Sequence, residues 1–117
     1  AVDGGMTDNI RPALYDADYE VIAASRCREK PVQEVTIAGK CCESGDILAE
    51  GVKLPEVKPG DIIAIPATGA YTYAMSSNYN SIPRPAVVLV KEGSSRIIIE
   101  RERYSDLIDH DVIPEEY

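Results

Sequence analysis

"EVTIAGKCCESGDIL", Glu34 to Leu48, decides how this chain folds. Its first seven residues are rich in β-branched side chains, "SGD" at 44 to 46 supplies turn chemistry, and Ile47 and Leu48 resume an apolar run. That pattern is a hairpin. Two adjacent cysteines and Glu43 fall at its turn. One reading makes the turn a reactive edge: a cysteine with an ordinary pKa of about 8.5 is mostly protonated at neutral pH yet easily shifted, so it can give a proton or attack. Glu43 would then receive a cationic group of a ligand. The other reading makes the cysteines small hydrophobes and "ESGD" turn chemistry alone. On these residues by themselves the turn has the advantage.

The same signals recur outward from the hairpin. "YEVIAAS" (19 to 25), "DIIAIPA" (61 to 67), "AVVLVKE" (86 to 92) and "SRIIIERE" (95 to 102) read as strands, with turns at "KPGD" (58 to 61) and "EGSS" (92 to 95). Closely spaced strands with such turns predict an all-β domain over residues 1–117, an antiparallel β-barrel of Greek-key type. Helix signals are few. Ser105 is placed to cap "DLIDHD", and Pro114 limits extension, so one short C-terminal helix is expected. "AYTYAMSSNYNS" (70 to 81) is too polar for a buried strand and reads as a surface loop or single helical turn.

Composition narrows the function. With 117 residues and 44% hydrophobic content the chain supports one modest core. Its 20 acidic and 12 basic residues give a net charge of −8, which repels a phosphate backbone, so nucleic acid is not an expected partner. No apolar run reaches the roughly 18 to 20 residues of a membrane span, and a soluble, cytoplasmic protein is expected. Three cysteines without C-x-x-C spacing give neither a disulfide framework nor a zinc pattern, so all three are read as thiols. "AVDGG" at the start reads as the end of a strand running into a glycine turn, as in a piece of something longer.

Three further stretches carry candidate chemistry. In "IRPALY", Arg11 and Tyr15 lie four apart, and an arginine fork with a phenol can together grip a carboxylate. A surface arginine beside a packed tyrosine is the plainer alternative. In "GAYTY", Gly69 lets backbone approach a ligand and Tyr71 offers a hydroxyl to a phosphate or carboxylate, unless it only fills a core edge. His110, the one histidine, lies among charges and is read as solvated, so neither a triad nor a histidine metal site can be assembled. Asp46 and Asp61 are read as turn residues.

Taken in order, "DGGMTDNIRPALYDA", "CESGD", "PGD", "GAYTYAMSSNYNSIPRPA" and "YSDLIDHD" resemble the C-terminal β-domain of the pyridoxal-phosphate-dependent decarboxylases built with an alanine-racemase-like barrel, and specifically their diaminopimelate branch. The resemblance covers nearly the whole chain. Ornithine-type relatives share "GAYT" but carry a Cys-Asp-Gly pattern where this chain has "CESGD". The resemblance implies pyridoxal 5'-phosphate as cofactor and conversion of meso-2,6-diaminopimelate to L-lysine and CO2. It implies that Cys42 is the proton donor, that Cys41 is a bystander, and that Arg11, Tyr15 and Glu43 bind the substrate's distal end. Tyr71 matches the residue that reaches cofactor and substrate. Cysteine and glutamate complete a partner subunit's site in the family, which implies a homodimer.

The family's TIM-like barrel, its Schiff-base lysine and the N-terminal strand that returns to the β-domain are not in these residues. This chain alone is therefore expected to be inactive, with a sheet edge left open. A decarboxylase for ornithine or carboxynorspermidine, and a non-catalytic binding or dimerisation module, remain the alternatives.

Overall fold

The structure, a computed structural model, describes residues 1–115; the last two residues of the expected domain lie outside them. Strands dominate and helices are few, as a sheet domain requires. The chain falls into two compact units that divide between Ser76 and Ser77.

The first unit is organised on the hairpin read from the sequence. Strand β2 (Gln33–Ala38) pairs antiparallel with β3 (Ile47–Leu54), with Val35 opposite Val52, Ile37 opposite Ala49 and Ala38 opposite Ile47. The register shifts twice between these pairs. Each shift leaves an extra residue on β3, and a bulge of this kind breaks the strict in-and-out alternation of a strand. Leu48 and Ala49 are consequently both buried although adjacent. Gly51, with φ +62°, takes the left-handed conformation in the other shifted stretch. Val2 donates its N–H to the Ala38 carbonyl at 2.9 Å, so the opening residues run against the end of β2, in keeping with the strand end read there.

Strands β1 (Ile22–Ala23) and β4 (Ile63–Ala64) form a second antiparallel ladder, much shorter than the runs 19 to 25 and 61 to 67 from which they come. The reasons are local. After Ala23 the chain winds into a 3-10 turn, Ala24–Arg26, where Ser25 Oγ accepts the Ile62 N–H at 2.8 Å. Beyond Ala64, Pro66 has no N–H to offer a ladder, and Ala67 takes a positive φ of 56°. Val21, Ala23, Ile37, Leu48, Ala49 and Leu54 make the core, with Val2, Val35, Val52, Val57, Ile63 and Ile65 packed on it. Fully burying such a branched side chain contributes roughly 1.5–3 kcal/mol.

In the second unit β5 (Val87–Lys91) and β6 (Ser94–Ile99) form an antiparallel hairpin. Glu92 and Gly93 both have positive φ, 51° and 76°, the backbone that a two-residue primed turn demands. Glu102 braces the approach to this hairpin. Its carboxylate accepts the Arg84 N–H at 2.7 Å and the Asn78 side-chain amide at 2.6 Å, and its other oxygen meets the Arg84 guanidinium at 3.1 Å. These bonds, the Arg84 N–H foremost, hold the Glu102 carboxyl below its ordinary pKa. The expected C-terminal helix is one 3-10 turn, Tyr104–Leu107. At its start the Arg103 N–H donates to Asp106 Oδ2 at 2.6 Å and the Asp106 N–H to the Arg103 carbonyl at 3.0 Å, and Ser105 lies inside the turn. Stretch 70 to 81, read as a loop or a single helical turn, holds two 3-10 turns, Tyr73–Met75 and Tyr79–Ser81.

Among the described residues the strands form three two-stranded ladders, β1–β4, β2–β3 and β5–β6, and no closed barrel is found. None of their helices is long and apolar enough to cross a membrane.

Asp61 anchors the β1–β4 end of the first unit. Its Oδ2 accepts the Arg26 Nε–H at 2.6 Å and the Lys58 N–H at 2.8 Å. The Arg26 bond first and the Lys58 N–H second hold this carboxyl below its ordinary value of 3.8. A carboxyl whose pKa is depressed by folding stabilises the fold above its unfolded pKa, and loses that contribution as pH falls through the folded value. Wild type should therefore exceed Asp61→Asn in urea midpoint by a constant margin from neutral pH down to the carboxylate range, with the margin closing below 3.8. A margin that widens on acidification would contradict the assignment.

Candidate active site

The turn between β2 and β3 is shaped by one carboxylate. Asp46 is 2% exposed, and both of its oxygens are used. Oδ2 accepts the Cys41 N–H at 2.7 Å and Oδ1 accepts the Met6 N–H at 2.6 Å, 40 residues away in sequence. Its backbone closes the loop as well, with Gly39 N–H donating to Asp46 O at 2.8 Å and Asp46 N–H to Glu43 O at 3.0 Å. Residues 40 to 45 are thereby pinned at both ends. Cys42 and Glu43 lie on this loop and are exposed, while Cys41 is half-buried. None of the three cysteines is in a disulfide.

Glycine is required where the carboxylate lies. A Cβ on Gly5 would meet both Asp46 oxygens at 2.9 Å, and one on Gly39 would overlap the same carboxylate. Asp46 cannot simply swing aside, because doing so abandons two charge-assisted bonds. The "DGG" and "AGK" glycines therefore make room for one buried anion.

The loop that Asp46 holds at Met6 leads directly to Arg11. Asp8 closes it, its carboxylate accepting the Gly5 N–H at 3.0 Å while its own N–H donates to Gly5 O at 2.9 Å. Asn9 Oδ1 then accepts the Arg11 N–H at 3.3 Å at the start of α1 (Arg11–Tyr15). Pro12 suits a first helical turn, where its missing N–H has no intrahelical partner to lose. The helix stops at Asp16, which takes the left-handed conformation at φ 50°. Helical spacing of four puts Arg11 and Tyr15 on one face. The guanidinium carbon lies 5.3 Å from the Tyr15 ring centroid and 5.8 Å from that of Tyr71. Both distances fall within cation–π range.

Tyr71 reaches this position at a backbone cost. Its φ is +66°, which for an aromatic residue costs about 1–2 kcal/mol. The loop that imposes it is tied internally, Thr72 Oγ1 donating to Thr68 O and Thr68 Oγ1 to Ile65 O at 3.1 Å. Tyr71 is 68% exposed and Tyr15 59%, so both phenols face solvent beside a positive charge.

The structure thus gathers Arg11, Tyr15 and Tyr71 into one cluster and presents Cys42 and Glu43 together on one turn. Two contributors were not singled out from sequence. Tyr19 accepts the Arg11 Nε–H at 3.0 Å from beyond the helix end, where no periodicity marks it. Asp46 was legible as a turn residue, but its distant partner Met6 was not. His110 is exposed, and no His, Cys, Asp or Glu cluster suited to a metal occurs among the described residues.

Such a sheet unit, with a thiol and carboxylate on a pinned turn and an arginine beside exposed phenols, has the makings of a ligand-handling domain. Residues 1–69 match the profile described as pyridoxal-dependent decarboxylase, C-terminal sheet domain, and the chain belongs to that family. Within it the likeness is to diaminopimelate decarboxylases. That of Bacillus subtilis (strain 168) is 57% identical over 112 residues, 96% of this chain and 26% of that protein. That of Synechocystis sp. is 51% identical over 114 residues, 97% of this chain and 24% of that protein. The crystal structure of diaminopimelate decarboxylase from M. jannaschii matches with a TM-score of 0.87 at 41% identity, covering 97% of this chain and 26% of the other. The same enzyme in complex with L-lysine gives 0.86 at 42%, covering 96% and 25%. The chain spans about a quarter of the length of these relatives.

Asp46→Asn tests the pinned turn. An asparagine accepts at one oxygen only, so either Met6 or Cys41 would face an NH2 group with its own N–H buried and unsatisfied. The expected loss is about 1–3 kcal/mol of unfolding free energy, read from urea titrations. Unchanged stability would mean that the two N–H groups do not depend on the carboxylate.

Proposed function

We propose that the protein containing this chain is a pyridoxal-phosphate-dependent decarboxylase that converts meso-2,6-diaminopimelate to L-lysine and CO2. The observation that carries this reading is Arg11. Its guanidinium lies within cation–π range of two exposed phenols, on the helix that follows the loop Asp46 ties to the cysteine turn. That arrangement suits a substrate with a second carboxylate, distant from the carbon that reacts. The names of its relatives support the same reading.

In this proposal Arg11 and Tyr15 hold the distal carboxylate and Glu43 pairs with the distal ammonium, so the substrate's far end fixes its near end. A diamine precursor such as ornithine would leave the arginine without an anion and forfeit the charge-assisted bonds that a distal carboxylate makes. That loss disfavours the ornithine-type alternative. Pyridoxal phosphate, when bound, supplies the electron sink for decarboxylation. The exposed Tyr71 hydroxyl beside the Arg11 charge fits a phosphate-bearing, anionic group of this kind. Tyr71 would donate to cofactor and substrate, and the Cys42 thiol would give the proton that the α-carbon needs. Cys41 has its N–H committed to Asp46 and serves the turn.

The reading extends to assembly. Cys42 and Glu43, exposed on a rigid turn, would complete the site of a second subunit in a cytoplasmic homodimer whose TIM-like barrels carry the cofactor lysine. The β-domain over 1–117 would close as a Greek-key barrel. The apolar side chains of Val88, Leu89, Val90, Ile97, Ile98 and Ile99, exposed on β5 and β6, support a larger wall that covers them. The acidic balance of the chain speaks against a nucleic-acid partner. A non-catalytic binding or dimerisation module is the remaining alternative, and absence of a cofactor lysine in the barrel would decide for it.

Two substitutions in the full-length enzyme separate the thiols. A positioned general acid contributes about 10²–10⁴-fold in rate, so Cys42→Ala should lower kcat by at least the smaller factor while Cys41→Ala stays near wild type. Equal losses would refute the choice of Cys42.

A further inference from the structure

We infer that Tyr19 is a positioning residue that fixes the edge on which Arg11 receives a carboxylate, and so tunes selectivity for the diacid substrate. The inference deepens the proposed function and rests on its reading of Arg11. A guanidinium has five N–H groups, one on Nε and four on the two Nη nitrogens. A carboxylate can dock bidentately along the side that includes Nε–H, or end-on across the two Nη groups. Here the side is taken, because Arg11 Nε–H donates to the Tyr19 hydroxyl at 3.0 Å. The rings of Tyr15 and Tyr71 lie 5.3 and 5.8 Å from the guanidinium carbon. What remains for an incoming anion is the Nη end.

Tyr19 is well suited to this role. It lies outside the helix that carries Arg11, past the left-handed Asp16, where the chain leaves the helix axis. It is half-buried while Tyr15 and Tyr71 are exposed, so its hydroxyl is a fixed partner rather than a mobile one. A side chain as long as arginine otherwise loses rotamer freedom when substrate orders it. Meeting that cost before substrate arrives is preorganisation, which appears as affinity for the group that Arg11 grips. No proton-transfer step depends on Tyr19, so its effect belongs on KM.

Tyr19→Phe in the full-length enzyme removes the acceptor and keeps the ring. The KM for meso-diaminopimelate should rise about tenfold, the scale of one hydrogen bond to a charged group, with kcat within about twofold. L-lysine keeps the distal carboxylate, since the one lost as CO2 is at the reacting carbon, so its inhibition constant should rise in parallel, while the urea midpoint should stay near wild type. A merely structural role would lower kcat and the midpoint along with the affinity. An unchanged KM, or a rise for diaminopimelate that the lysine inhibition constant does not share, would overturn the inference. Arg11→Ala is the control. If it raises the KM for diaminopimelate while Tyr19→Phe does not, Tyr19 alone has been misread. If Arg11→Ala also leaves that KM unchanged, the carboxylate reading of Arg11 falls and this inference falls with it.

Discussion

The buried carboxylate of Asp46 is the constraint on which the candidate site depends. It takes one N–H from Met6 and one from Cys41, and it fills the space that Gly5 and Gly39 leave empty. A buried anion is tolerated only when its oxygens are satisfied, and here two backbone donors from segments far apart in sequence satisfy them. The consequence is geometric. The glycine loop that delivers Arg11 and the turn that carries Cys42 and Glu43 are secured to the two oxygens of one carboxylate, one to each. A site assembled from loops gains the precision of one built on strands.

Rigidity is distributed unevenly around this point. Among the described residues the core is small, six buried aliphatic or alanine side chains with a partly buried shell, so polar ties carry much of the local order. Asp61 with Arg26, and Glu102 with Arg84 and Asn78, repeat the same device, a carboxylate that collects backbone and side-chain donors at the end of a short ladder. Strain is accepted where the ligand would arrive. Tyr71 has a positive φ beside Arg11, and such outliers persist when the surrounding bonds over-determine them. Thr68 and Thr72 supply those bonds.

Much of this was legible in the sequence, for identifiable reasons. The hairpin from 34 to 48 and the one from 86 to 102 announce themselves through β-branched runs broken by glycine turns, and both are found. The runs 19 to 25 and 61 to 67 look equally strand-like, yet only two residues of each pair, because Pro66 and the 3-10 turn after Ala23 end the ladder. Helix α1 leaves no helical period in the sequence, since five residues are too few to show one, although the spacing of four between Arg11 and Tyr15 is legible. The chemical residues are proposed from the resemblance, one by one. What no local pattern reveals is which groups hold them: Met6 on Asp46 and Tyr19 on Arg11 are meetings created by the fold.

The central claim, that Gly39 and Gly5 exist to admit the Asp46 carboxylate, is tested most directly by a double-mutant cycle on unfolding free energy with Gly39→Ala and Asp46→Ala. Gly39 has no positive φ to complicate the comparison. Gly39→Ala should be strongly destabilising in wild type, because the new methyl overlaps a carboxylate held by two bonds. In the Asp46→Ala background the same substitution should cost little, giving a coupling energy of about 0.5–3 kcal/mol as expected for residues in contact. Equal costs in the two backgrounds would contradict the account, since the glycine would then be required for some reason other than the anion beside it.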